Sequence, residues 1–321
     1  MNSKTTLVTG GAGFIGSHLC AVLVGKGYRV ICVDNLLTGS RSNIHQLEQN
    51  ERFRFIEHDV TNELRSTMND VRTIDFIYHL ASPASPVQYQ NHPLETLHVN
   101  SIGTENMLKL AQETGASFLY TSTSEVYGNP LEHPQKETYW GNVNSYGPRS
   151  CYDEAKRFGE ALVYTYTHHY RVNARMVRIF NTYGPHMEKD DGRVVSNFVN
   201  QALDNQPITI HGDGNQTRSF CYVSDMVEGI VRAMETEHTS SEIINLGNTD
   251  ERSIDEIADL IIKLSGSRSE KEYKELPPDD PVRRQPDISK AKELLKWEPK
   301  ISLEEGLTKT IEYFKQMANS Q

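Results

Sequence analysis

Tyr152 and Lys156 stand four positions apart. On a helix that spacing puts a phenol and an ammonium on one face, one turn apart. A cation near a phenol favours the phenolate and lowers its pKa from about 10, which makes Tyr152 a base usable near neutral pH. Such a pair is common by chance. It gains a task from a second stretch, Thr9-Gly10-Gly11-Ala12-Gly13-Phe14-Ile15-Gly16, which follows a strand and opens a helix. Gly10, Gly13 and Gly16 let the backbone turn sharply and approach a pyrophosphate, while the helix N-terminal amides around Phe14 and Ile15 face its charge. A dinucleotide held beside a base is the equipment for oxidising an alcohol.

Other positions extend both stretches. Asp34 ends the second strand and is followed by Asn35. A carboxylate there accepts from both ribose hydroxyls and repels a 2′-phosphate, which favours NAD over NADP. Asp59-Val60 ends a third strand, where an adenine can sit, and Leu80-Ala81-Ser82 ends a fourth, at the crevice where parallel sheets place ligands. A further strand runs into Thr121-Ser122-Thr123-Ser124-Glu125-Val126-Tyr127-Gly128. Its hydroxyls face the same crevice. Thr123 is positioned to hydrogen-bond the hydroxyl that Tyr152 deprotonates, and Glu125 is a carboxylate two residues on.

The elements that must position these groups alternate. Short apolar strands are read at Leu7–Thr9, Arg29–Asp34, Phe53–Ile56, Phe76–Leu80, Phe118–Thr121 and Ala174–Ile179. Helices are read at Ser17–Gly25, around Val99–Thr114 and from about Tyr152 to Tyr170. This rhythm predicts an α/β fold, a Rossmann-type doubly wound parallel sheet covered on both faces. Past Gly184 the rhythm gives way to loops rich in Gly, Asp and Pro, and the chain ends in helical patterns at Ile254–Ser265 and Leu303–Met317. The expected division is an NAD-binding domain over 1–184 with a returning segment near 217–250, including the strand Ile243–Leu246. A smaller C-terminal α/β substrate lobe is expected from 185–216 and 251–321.

Bulk properties exclude several classes. The formal net charge of -10 gives no basic face for nucleic-acid backbones. No apolar run approaches the roughly 18 residues that span a bilayer, and the chain reaches its first strand at Thr5 with no room for a secretory leader. Cys20, Cys32, Cys151 and Cys221 are scattered with no metal-binding spacing. Reduced thiols, no metal and a cytoplasmic location are expected.

The chain resembles the extended short-chain dehydrogenases/reductases, and more narrowly the UDP-glucuronate decarboxylases. The resemblance is carried by Leu80 to Pro86, Thr121 to Gly128, Tyr139 to Asn144, Gly147 to Glu154, Ile179 to Pro185, Asp191 to Phe198, Gln216 to Phe220 and Arg284 to Ile288. It implies NAD as cofactor, a UDP-sugar substrate and a homodimer. It implies Tyr152 as base, Lys156 as its partner and holder of the nicotinamide ribose, Thr123 as hydroxyl helper, and Glu125 with Ser124 at the C5 side of the sugar. Asn181, Arg193 and Arg218 would hold the nucleotide diphosphate, with Ser85 and Val194 as further substrate contacts, and Arg284 would lie near the substrate phosphate or carboxylate. Ser145-Tyr146, Ala155, His211 and Cys221 depart from the pattern usual in that family.

Oxidation at C4 of the sugar opens three routes. A C6 carboxylate makes a β-keto acid that loses CO2; a C6 hydroxymethyl permits 4,6-dehydration; rotation and re-reduction of the ketone gives a 4-epimer. Related dehydratases usually carry Thr-Asp-Glu, whose Asp protonates the departing hydroxyl. Here the middle residue is Ser124, a very poor acid, which favours decarboxylation over dehydration and puts epimerisation third. An NAD-binding regulator without turnover is the reading from another class; such proteins tend to lose the Tyr–Lys pair.

Overall fold

The architecture is seen in a computed structural model that describes residues 3–68, 71, 73–189 and 191–319. The first half alternates as the apolar runs predict: β1 (Thr5–Thr9), α1 (Phe14–Gly25), β2 (Arg29–Asp34), β3 (Phe53–Glu57), β4 (Phe76–His79), the short helices α2 (Pro86–Asn91) and α3 (Pro93–His98), α4 (Thr104–Thr114), β5 (Ser117–Thr123), α5 (Ser150–His169) and β6 (Ala174–Ile179). There follow β7 (Thr182–Tyr183), α6 (Val194–Leu203), β8 (Ile208–His211), β9 (Thr217–Ser219), β10 (Cys221–Tyr222), α7 (Val223–Glu235), β11 (Ile243–Leu246), β12 (Glu251–Ser253), α8 (Ile254–Ser265), β13 (Lys271–Lys274), β14 (Arg283–Arg284), α9 (Ser289–Leu295) and α10 (Leu303–Asn319).

Seven strands form one parallel sheet in the order β11-β6-β5-β4-β1-β2-β3. The order reverses between β4 and β1, so the carboxyl ends of these strands splay their following loops apart and open a crevice. The strands are apolar on both faces, because helices cover both. Leu19 and Leu23 of α1 and Ile230 of α7 bury Val8, Leu119 and Val177 on one side. Met107 of α4 and Val163 of α5 bury Leu7, Phe118 and Tyr120 on the other. The late strand β11 pairs in parallel with β6, Ile244 opposite Val177, and closes the sheet from far along the chain.

One expected helix differs at its start. The run from Val99 opens as a wide turn over Val99–Gly103 before α4 proper begins at Thr104. Asn100 is wholly buried there. Its amide donates to Ser82 Oγ and to the Thr96 carbonyl at 2.9 Å each, which ties this turn to the end of β4. Wide helical turns of this kind recur next to functional sites.

The later segments build three small sheets, β7 with β10, β12-β9-β14, and β8 with β13. They bring β9, β14 and the loop before β14 over the crevice. Among the described residues no helix is long and apolar enough to cross a membrane, and no group of His, Cys, Asp and Glu could hold a metal ion.

Candidate active site

A cavity of about 700 Å³ runs along the carboxyl edge of the sheet. The glycine turn forms one end. Gly10 adopts φ +69°, and a Cβ there would lie 2.7 Å from the Ala81 nitrogen, so only glycine lets β1 turn this close to the end of β4. At Gly16 a Cβ would lie 2.8 Å from the Gly11 Cα; without it α1 starts directly against the turn. Gly13 is the N-cap of α1 and offers no side chain to its first amides. Those donors are left for an anionic ligand.

Asp34 closes this end. It is buried, with Oδ2 accepting from the Ala12 N–H at 3.0 Å and Oδ1 from the Leu36 N–H at 2.9 Å. Burial raises its pKa and those two donors oppose the rise. Asn35 donates to Asp59 at 3.2 Å, and Asp59 also takes the Thr61 amide and hydroxyl. Phe14, Ile15, Val60, Leu80, Ala81 and Ser82 line the same cavity. These residues fit a dinucleotide: a glycine turn open to the pyrophosphate and a fixed carboxylate beside that turn, bonded to the Ala12 N–H.

At the centre, α5 presents Tyr152 and Lys156, both buried. The Lys156 ammonium donates to the Thr121 carbonyl at 3.0 Å and lies 5.9 Å from the Tyr152 ring centre. The Thr123 hydroxyl lies near the Tyr152 phenol and acts to lower its pKa. The helix pairing read from the spacing is therefore present. Burial pushes the Tyr152 phenol above its ordinary value, against the Thr123 hydroxyl. Burial also pushes Lys156 down to about 7, with Glu160 opposing. Both shifts follow mainly from taking the two groups almost completely out of water.

Beyond Tyr152 lies a charged cluster. The turn Ser124–Tyr127 follows β5 directly, capped by Thr123, whose hydroxyl accepts from the Glu125 N–H at 3.2 Å. Glu125 pairs with Arg149 at 2.5 Å and with Arg284 at 3.1 Å. Burial alone would raise its pKa, but the guanidiniums of Arg284, Arg149 and Arg218 hold it at about 2. Arg149 also reaches Asp280 at 3.3 Å, and Arg218 meets the same Asp280 at 3.0 Å. The loop before β14 is thus bound to the first turn of α5 through charge.

Ser85, Asn181, Arg193, Val194 and Arg218 all line the cavity, together with Ser124 and Glu125. Arg193 is steered by Asp191, which accepts its N–H and Nε–H at 2.8 Å each, and its guanidinium stacks 5.3 Å from the Phe14 ring. Arg284 stands behind the cavity wall. It is not among the lining residues; it is 1% exposed and stands one layer back, donating to Ser124 Oγ at 3.0 Å and to the Gly128 carbonyl at 2.7 Å as well as to Glu125. With its two terminal nitrogens so engaged it orients the groups that face the cavity.

Three residues escaped the sequence reading. Arg149 sits three positions before Tyr152 and lines the cavity. Tyr89 stacks on Tyr152, ring centres 4.9 Å apart and 7° from parallel, and its buried hydroxyl has no partner. Asp280 becomes a bridge only in three dimensions. Arg149 lay inside a quoted motif and was within reach of sequence reasoning; Tyr89 and Asp280 carried no signal.

A family model described as GDP-mannose 4,6 dehydratase matches residues 7–310. UDP-glucuronic acid decarboxylase 1 of Arabidopsis thaliana is 54% identical over 309 residues, 96% of this chain and 69% of that protein. UDP-glucuronic acid decarboxylase 1 of Xenopus tropicalis is 51% identical over 318 residues, 99% of this chain and 74% of that protein. Among solved structures, UDP-glucuronic acid 4-epimerase from Bacillus cereus, in complex with UDP-glucuronic acid and NAD, superposes with a TM-score of 0.88 at 34% identity, covering 98% of this chain and 99% of the other.

Proposed function

We infer the reaction from kinship: the chain belongs to the family of the UDP-glucuronic acid decarboxylases, within the extended short-chain dehydrogenases/reductases. It is an NAD-dependent enzyme that removes CO2 from UDP-glucuronate. Glycine turn and Asp34 support NAD at one end of the cavity, and the lining Asn181, Arg193 and Arg218 support a nucleotide diphosphate at the other.

Bound NAD supplies the acceptor, and later the donor, of one hydride at the sugar C4. Every other step falls to the chain. Tyr152 takes the C4 hydroxyl proton while Thr123 fixes the direction of approach, and Lys156 steadies the developing phenolate. The resulting C4 ketone accepts the electrons of the C5–carboxylate bond. Glu125, held ionised between Arg284 and Arg149, lines the cavity beside Ser124 and faces the C5 side of the sugar. Ser124 donates its hydroxyl proton towards that carboxylate while its oxygen is held by Arg284.

The observation that carries decarboxylation over dehydration is position 124, where a buried serine, 3.0 Å from the Arg284 guanidinium, takes the place of a carboxylic acid. No acid at that point stands ready to protonate a leaving hydroxyl. The test is mass spectrometry of the products from UDP-glucuronate, UDP-glucose and UDP-N-acetylglucosamine. CO2 is expected from the first and no water loss from the other two; water loss establishes a dehydratase, and inversion without mass change a 4-epimerase. The proposal includes a homodimer in the cytoplasm. Exposed Phe158 and Tyr164 on α5 offer an apolar face for the dimer, and light scattering tests it.

A further inference from the structure

Decarboxylation has a proton balance that the residues above do not close. A sugar carboxylate becomes a C–H bond and neutral CO2, so each turnover consumes one proton. The hydride and the phenolic proton removed at C4 both return there. The proton that lands on C5 has to come from another group. Glu125 does not store it, because two guanidiniums within 3.1 Å keep it ionised.

Asp153 is differently placed. It follows Tyr152 on α5 and is 6% exposed. One carboxyl oxygen lies 3.8 Å from Arg149 Nε, too far for a hydrogen bond, and the other, Oδ1, has no partner at all. A buried carboxylate with an unpaired oxygen is costly, so the neutral acid is favoured. The groups facing it are Glu125 from the turn after β5, Arg149 and Glu154 from α5, Arg284 from β14 and Tyr89 from α2. Burial and the Glu125 charge outweigh the two guanidiniums and raise Asp153 to about 7. Tyr89 completes the path. Its hydroxyl is also buried without a partner, it feels the charges of Asp153, Glu125 and Arg149, and the residue lines the cavity beside Tyr152. The two orphaned polar groups are not bonded to each other, but each feels the other's charge, and Tyr89 lines the cavity beside Tyr152.

We propose that Asp153 stores the proton that replaces the departing carboxyl group and that the Tyr89 hydroxyl passes it into the cavity. This rests on the decarboxylase reading. When the C5–carboxylate bond breaks, its electrons form the enolate of the C4 ketone. C5 then takes the Tyr89 proton; the O–H electrons stay on the Tyr89 oxygen, which takes a proton from an intervening water, and that water takes the Asp153 proton. Asp153 is left as carboxylate and recovers a proton from water after product leaves.

The test is a single turnover of carboxyl-labelled UDP-glucuronate, following CO2 release and UDP-xylose formation separately in the wild type, Asp153→Asn and Tyr89→Phe. Both variants keep shape and lose the transferable proton. CO2 release is expected within about threefold of wild type, while UDP-xylose formation falls by about 10²-fold, the scale of a lost general acid. In the wild type, UDP-xylose formation should decline as pH rises through about 7, the value to which Asp153 is raised, since the raised acid is protonated below it. That decline should be absent in Asp153→Asn. Parallel slowing of both products, or normal UDP-xylose formation in either variant, overturns the relay and leaves decarboxylation standing. Absence of CO2 from the wild type overturns both.

Discussion

Asp34→Asn is the sharpest test of the dinucleotide end, because it changes charge without changing shape. The carboxylate serves two backbone donors, Ala12 at 3.0 Å and Leu36 at 2.9 Å, each with its own oxygen. An amide has one oxygen, so one of these N–H groups must face an NH2. A buried unsatisfied donor costs about 1–3 kcal/mol. At about 2 kcal/mol, the protein without dinucleotide should melt roughly 3 °C lower. The substitution also weakens the acceptor for the ribose hydroxyls. Bonds to a charged acceptor exceed neutral ones by about 1 kcal/mol each, and two of them correspond to about a 30-fold rise in the Kd for NAD. The 2′-phosphate of NADP loses its repulsion at the same time, so the preference for NAD over NADP should narrow further than the NAD loss alone. Calorimetric titration with both dinucleotides and a melting curve read all three effects. A variant that binds NAD within about twofold of wild type and melts within about one degree would refute the assignment of Asp34 as ribose acceptor and turn-holder.

Tyr152→Phe should abolish turnover while NAD binding stays within a few-fold, as measured by single-turnover assay and calorimetry, since only the ionisable hydroxyl is lost. Arg284→Met should cost about 3–5 kcal/mol in urea unfolding, because it leaves Glu125 short of one guanidinium and Ser124 and the Gly128 carbonyl without their donor. Lys156 provides a pH test. Its pKa is lowered by burial from 10.5 to about 7, so between those values the unfolded chain binds more protons than the folded one and stability rises with pH. In protein freed of dinucleotide, Lys156→Met should flatten that rise by about 2 kcal/mol between pH 7 and about pH 9 in urea titrations; an unchanged slope removes the buried-ammonium account.

The parts that were legible in the sequence are those encoded by short spacings. Gly10, Gly13 and Gly16 define one turn, Tyr152 and Lys156 one helix face, and Thr123 to Glu125 one strand end, and each needs only its own element to form. Strand ends along a parallel sheet then fall at one edge, which brings Asp34, Asp59, Ser82 and Thr123 together without further information. What stayed hidden depends on contacts across the chain. Asp280 meets Arg149 over a separation that no periodicity records, and Tyr89 becomes a neighbour of Tyr152 only when α2 packs on α5. The shifts that burial imposes on Tyr152 and Lys156 stayed hidden for the same reason. Spacing reports that two charges are near each other; how much water is removed from around them is a property of the packed fold.

The strand β11 has a consequence for biosynthesis. The parallel sheet is completed by residues 243–246, well after the last of the other six strands has emerged from a translating ribosome. Until then β6 presents an open hydrogen-bonding edge, the kind that recruits foreign strands. The nascent polypeptide must therefore carry an unfinished sheet through the synthesis of more than sixty residues, from the end of β6 at Ile179 to the start of β11 at Ile243. Slowing elongation within this interval should raise aggregation more than slowing it anywhere later.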